Sequence, residues 1–272
     1  MEDLVRYPFF ILAVTFPLMW LSTKIGVLFR RKQPEVAQDA RDDLNLIVAG
    51  TLTLLGLIIA FSFSMATSRY DQRKNYEEIE ANSIATEYAR AGLLPGVDAA
   101  RVRMLLSDYL NQRILFYRSR DEQELRRIDE CTRQLQYELW SGVETLAEKR
   151  DESEPAPFLA LVISGMNDVL NSQGHTQAAW WNRIPGGAWW LMIIVAVFSN
   201  VLVGYGVRRG EARGLLFVLP ILLCIAFFLI ADIDAPRHGV IRVHPHSLAS
   251  LAQSLHARGK AEARDTRNDP SR

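Results

Sequence analysis

The sequence is poor in the residues on which most functional assignments rest. Cysteine occurs twice in 272 residues, at Cys131 and Cys224. That is too few for a disulfide framework or a four-thiolate zinc site. Neither charge is in excess, since 31 Lys plus Arg meet 31 Asp plus Glu. A dedicated nucleic-acid binder would be strongly basic, so no nucleic-acid partner is expected. No nucleophile–base arrangement, Gly-rich phosphate loop or metalloprotease motif is present, and neither an enzyme nor a cofactor is expected. The alternation that marks a strand is confined to GVIRV at 239–243. Gly and Pro are missing altogether from Leu57 to Ala91.

Apolar runs are abundant. The mean hydropathy of +0.01 resembles that of a soluble chain, but it averages two phases. Residues 8–29, 44–68, 184–207 and 214–231 together carry one charge, Lys24, and the rest of the chain holds the other 61. A helix of roughly 20 apolar residues crosses a bilayer, so all four runs qualify as spans. The first is long enough to span and lacks a small-residue cleavage pattern, so it reads as a retained transmembrane helix rather than a signal peptide. Four spans put both termini and the segment between the second and third spans on one side. The opposite side receives only the loops around 30–43 and 208–213.

The expected fold is all-α: a polytopic membrane protein with four transmembrane helices and an antiparallel helical bundle outside the membrane. Its expected parts are spans one and two with a short loop (1–68), the helical domain (69–183), spans three and four (184–235), and an interfacial segment with a polar tail (236–272). The 35 positions from Leu57 to Ala91 continue the second span for roughly 50 Å as one helix. LLPG at 93–96 stops it, and Asp98 suits the N-cap of the next helix. Further helices carry Leu125 to Leu146 and, after DESEPAP at 151–157, Phe158 to Leu170. Trp180, Trp181, Trp189 and Trp190 mark an interfacial belt, Lys24 can snorkel, and Asn200 suits a hydrogen bond to another helix or subunit. Lys and Arg near the spans are divided evenly, seven to each side, and the weight of short loops slightly favours the loop side as cytoplasmic.

Two constellations stand out. Ser64, Ser68, Asp71, Asn75, Glu78 and Asn82 are spaced four, three, four, three and four, which puts them on one helix face that extends upward through Ala60 and Leu57 to Thr53. They either line an aqueous path or form the solvated face of an ordinary helix. Glu77 lies on the opposite face. Asp232 and Asp234, at the end of the fourth span, are costly near a bilayer unless paired. Arg69 and Arg73, at the same depth, are their candidate partners. The pairs make either a cation site or gate, or a structural clasp. Asp232, Asp234, His238, His244 and His246 match no dedicated metal-binding spacing, and no metal is expected.

Three runs resemble signatures of one family. GLIIAFSFSMATSRYDQRKNYEEIEANSIATEYARAGLLP (56–95), NRIPGGAWWLMIIVAVFSNVLVGYG (182–206) and IADIDAPRHGVIRV (230–243) resemble, in order, the signatures of the bestrophin-like domain family of bacterial membrane proteins. The likeness covers roughly residues 42–255. The chain departs from it at His244-Pro245-His246, where family members usually carry Gln-rich sequence. Bestrophins are pentameric anion channels with four spans and a helical cytosolic domain. The resemblance therefore implies an oligomeric channel, a pentamer and anions by likeness alone, in the bacterial inner membrane with the helical domain cytosolic. Its partners would be the lipid bilayer, further copies of the chain and inorganic ions. The alternative is a non-conducting scaffold or sensor whose helical domain binds a partner.

Overall fold

The run without Gly or Pro lies, except for its last residue, inside one uninterrupted helix, α2 (Gln38–Arg90). A computed structural model describes residues 7–32, 38–148, 156–207 and 214–268. Residues 33–37 of the expected loop around 30–43, the expected loop at 208–213 and most of the break at 151–157 fall outside these residues. Residues 30–32 belong to the first helix and 38–43 to α2. The other helices are α1 (Pro8–Lys32), α3 (Gly96–Arg118), α4 (Glu122–Glu148), α5 (Ala156–Trp181), α6 (Gly186–Gly206), α7 (Leu215–Asp234) and α8 (His246–Asn268). Among the described residues there is no strand. GVIRV is a bend followed by irregular chain, and Asp232 takes the main-chain N–H groups of Val240 and Ile241. Four helical segments are long and apolar enough to cross a membrane, and the chain is a multi-pass membrane protein.

Two compact units divide the chain. The first comprises residues 1–71 and 182–242. Within it α1 packs chiefly on α6 and then on α7, around a core that includes Met19, Leu55, Ala66, Met192, Ala196, Phe227 and Ile230. Its outside is as apolar as its inside, with Leu46, Leu57, Phe61, Phe198 and Leu222 all exposed. In lipid this carries no penalty, since acyl chains are as apolar as leucine. Helix association must then come from close packing and polar contacts. The α1–α6 crossing supplies both. Gly26 lies against the Val201 carbonyl and Gly204 against that of Thr23. Beside them Thr23 Oγ1 donates to Asn200 Oδ1 at 3.2 Å, the interhelical bond that Asn200 suits. Asn200 Nδ2 donates to the Ala196 carbonyl within its own helix at 2.8 Å. Thr15, Ser22 and Ser199 likewise bond back four residues, so their hydroxyls are satisfied without water. Of the four tryptophans of the expected belt, Trp181 and Trp190 are exposed and Trp180 and Trp189 are buried. Lys24 lies over the Trp20 ring at 5.1 Å.

The second unit comprises residues 72–181 and 243–272. The α2 helix ends in a 3-10 turn, Ala91–Leu93, and Pro95 starts α3 by supplying the N-cap backbone. Asp98 is therefore not the N-cap. It sits in the first turn of α3, where a carboxylate still suits the helix dipole. The corresponding role at α4 belongs to Asp121, whose Oδ2 accepts the Glu124 N–H at 2.9 Å. The core joins Val102, Leu106, Tyr109 and Leu110 of α3 to Leu139 and Val143 of α4, Val162, Met166 and Val169 of α5, and Leu248 of α8. Residues 246–268, read as part of an interfacial segment and polar tail, form a helix that packs on α3.

The glycine crossing has a direct test in thermal unfolding of the detergent-solubilised protein. A Cβ would come within 2.0 Å of the Val201 oxygen at position 26 and 2.1 Å of the Thr23 oxygen at position 204. Gly26→Ala and Gly204→Ala should each cost about 1–3 kcal/mol, the usual penalty of overpacking. Gly50 of α2 meets nothing within 4 Å. Gly50→Ala should be neutral, or stabilising by up to about 1 kcal/mol through helix propensity.

Candidate functional site

The candidate stripe is the uncovered face of α2. Thr53, Ser64, Ser68, Asp71, Asn75, Glu78 and Asn82 are all exposed. The opposite face is packed: Leu55, Ser62, Ala66, Arg73, Glu77, Glu80, Ala81, Ile84 and Glu87 are buried. A helix this long keeps one row inside and one row outside only if both follow its period, and these two rows do. Thr53 returns its hydroxyl to the Ala49 carbonyl at 2.9 Å. Asp71, Asn75 and Glu78 are exposed and face whatever surrounds the chain.

Of the four candidate boundary residues, Arg69 and Asp234 form an ion pair. Arg69 Nη1 lies 3.6 Å from Asp234 Oδ1, with the Asp234 side chain 1% exposed and that of Arg69 16%. Both Asp234 oxygens also accept the Ile184 N–H at 3.2 Å, which fixes the chain just before α6. Asp232 is spent on the main chain. Its oxygens accept Val240 N–H at 2.7 Å and Ile241 N–H at 2.8 Å. That clasp is tight, since a Cβ on Gly239 would come within 2.3 Å of the Asp232 carbonyl oxygen. Arg73 turns to the second unit, where its Nε donates to the Ala179 carbonyl at 3.3 Å. His238 packs on Tyr7 with ring centres 4.9 Å apart, and His244 lies 5.9 Å from His246. Among the described residues no group of three or more His, Cys, Asp or Glu is placed to hold a metal ion.

Sequence reasoning passed over the buried acids of α2. In the sequence Glu77 stands out only as a residue of the face opposite the stripe. Its Oε1 accepts the Leu248 N–H at 2.9 Å and so anchors the start of α8. Glu80 forms an ion pair with Arg113, both of them fully buried. Thr176 Oγ1 donates to Glu80 Oε2 at 3.1 Å, and the Tyr117 hydroxyl donates to the same oxygen at 3.5 Å. The Arg113 guanidinium also lies 4.5 Å from the Phe116 ring centre. Burial opposes the Arg113 charge, but Glu80 outweighs it and holds the guanidinium's pKa above its ordinary value. Burial, reinforced by Glu80, pushes the Tyr109 and Tyr117 phenols up, so both stay protonated. The available signal was the spacing of 73, 77, 80, 84, 87 and 91, a second helical row opposite the stripe. Next to this row, α2 and α5 border an open cavity of about 460 Å³ lined by Asn82, Ser83, Thr86, Arg90, Asp168 and His175 among others.

Comparison with known proteins identifies the architecture. The Bestrophin-like domain matches residues 10–248. Crystal structures of point-substituted variants of a bacterial bestrophin homologue from Klebsiella pneumoniae have a similar fold. One aligns with a TM-score of 0.59 at 13% identity, covering 89% of this chain and 96% of that one. Another gives 0.61 at 12% identity, covering 90% and 97%. A variant described only as a membrane protein gives 0.60 at 12% identity, again covering 90% and 97%. No curated protein matches the chain.

The Arg69–Asp234 contact makes a quantitative prediction for a double-mutant cycle read by thermal unfolding. Asp234→Asn should cost more than Arg69→Gln, because it weakens both the ion pair and the hold on Ile184. The double mutant should lose less than the sum of the two, with a coupling of about 0.5–3 kcal/mol. Asp232→Asn should destabilise without coupling to Arg69→Gln.

Proposed function

The chain belongs to the bestrophin-like domain family, and from that premise we propose that it is an ion channel built from several copies. In this reading one copy of α2 from each subunit surrounds a water-filled axis. The observation that carries it is the uncovered stripe: seven polar residues on one face of α2, all exposed, along a helix whose other face packs on its own chain. Ser64 and Ser68 lie within or at the end of the apolar run, where hydroxyl groups facing an axis can replace part of an ion's hydration. Below them Asp71, Asn75, Glu78 and Asn82 continue the polar surface into the helical domain.

Anions are favoured only by kinship with bestrophins. A ring of Asp71 would by itself favour cations. Lys74 is exposed three residues further along α2, and a neighbouring copy's Lys74 would neutralise that ring. The same kinship supports our reading of a protein of the bacterial inner membrane with its helical domain in the cytosol. Conduction of this kind is passive and needs no catalytic group.

The test is flux from liposomes containing the purified protein under an imposed chloride or potassium gradient. The parent protein should relax the gradient. Ser64→Leu should cut the current several-fold, and Asp71→Asn should shift the reversal potential in a salt gradient. Arg101→Gln, on the exposed surface of α3, should do neither. Absence of flux from the parent protein would leave the non-conducting scaffold or sensor in its place.

A further inference from the structure

Glu87 is fully buried, and among the described residues neither of its carboxyl oxygens has a hydrogen-bond partner. The other buried acids of α2 are provided for, Glu80 by Arg113 and Glu77 by the Leu248 N–H. Glu87 instead presses on α5 at Gly165, where a Cβ would come within 1.9 Å of its Oε2 and 2.5 Å of Arg90 Nη1. The absence of a side chain at Gly165 gives the carboxyl its room there. Two charged groups act on it, Arg90 from its own helix and Asp168 from α5. Arg90 Nη1 donates to the Leu161 carbonyl at 3.3 Å. Asp168 and Arg90 also line the cavity between α2 and α5, with His175 further along α5.

We infer that Glu87 is a proton-binding site that ties the packing of α5 against α2 to the pH of the surrounding solution. A buried carboxylate without a hydrogen bond is expensive, and taking up a proton removes the charge. Burial raises the Glu87 pKa from 4.5 to about 8, Arg90 opposing the rise and Asp168 adding to it. Between those two values the folded chain holds a proton that the unfolded chain has released. The stabilisation is therefore complete below the unfolded value, falls as pH rises and is gone once pH passes about 8. Above that point an ionised carboxylate faces the Gly165 backbone and the packing loosens. The site operates whether or not the protein conducts.

The purified full-length protein tests this in two ways. In infrared difference spectra the parent should show a protonated-carboxyl band at about pH 6 that disappears as pH is raised to about 9. Glu87→Gln should lack that band. Thermal stability of the parent should fall across the same interval, and Glu87→Gln should flatten the fall. Two neighbours give the midpoint a direction: Arg90→Gln should move it up and Asp168→Asn should move it down. These two variants keep Glu87 in place, so they test the site even if Glu87→Gln fails to fold. A band and a pH profile unchanged by Glu87→Gln would overturn the assignment. So would a midpoint that neither neighbour moves.

Discussion

A charge is buried in protein only if something compensates it, and that requirement organises the second unit around α2. Four charged side chains, Arg73, Glu77, Glu80 and Glu87, face inward within about four turns. The first three each bring a different piece of the chain to it. Arg73 takes the carbonyl at the end of α5, Glu77 the first turn of α8, and Glu80 an arginine from α3 together with hydroxyls from α3 and α5. Breaking one partner of a buried ion pair typically costs about 3–5 kcal/mol, a large share of any domain's stability. The helices of this unit are therefore positioned by polar geometry as much as by apolar area.

The first unit follows the opposite solvent rule on the same helix. Its outside is apolar and its scarce polar groups lie inside, either bonded within their own helix or used once between helices, as at Thr23 and Asn200. Its two buried carboxylates are consumed by main-chain N–H groups and Arg69, which close the turns on either side of the last two spans. One face of α2 remains, and the chain does not cover it. Polar groups there are left for water, lipid or another copy of the chain.

Much of this was legible in the sequence because lipid imposes a coarse signal. Four charge-free or nearly charge-free runs, and a long stretch without Gly or Pro, read directly as spans and as one continuous helix. The outer row from Ser64 to Asn82 was equally plain, since six polar residues kept the helical period. The inner row was missed for a physical reason. Glu77, Glu80 and Glu87 are surface residues by any local measure, and the groups that bury them lie far along the chain: Arg113, Thr176, Gly165 and Leu248. Asp232 and Asp234 were recognised as needing partners, but backbone N–H groups leave no trace in side-chain patterns. The start of α3 was misplaced for a similar reason. Pro95 offers no side-chain cap, and Asp98 looked like a better one.

The claim on which the functional reading depends is that the outer row of α2 faces its counterpart in other copies around an axis. Cysteine substitutions at Asp71 and Asn75, in a chain with Cys131 and Cys224 replaced, place thiols on that row, and Arg101→Cys places one on the surface of α3. A monofunctional maleimide should label all three in the purified oligomer. A short bis-maleimide should then join Asp71→Cys or Asn75→Cys subunits into a ladder of covalent copies and leave Arg101→Cys monomeric. A ladder of equal strength from all three, or none from the α2 positions, would contradict the account.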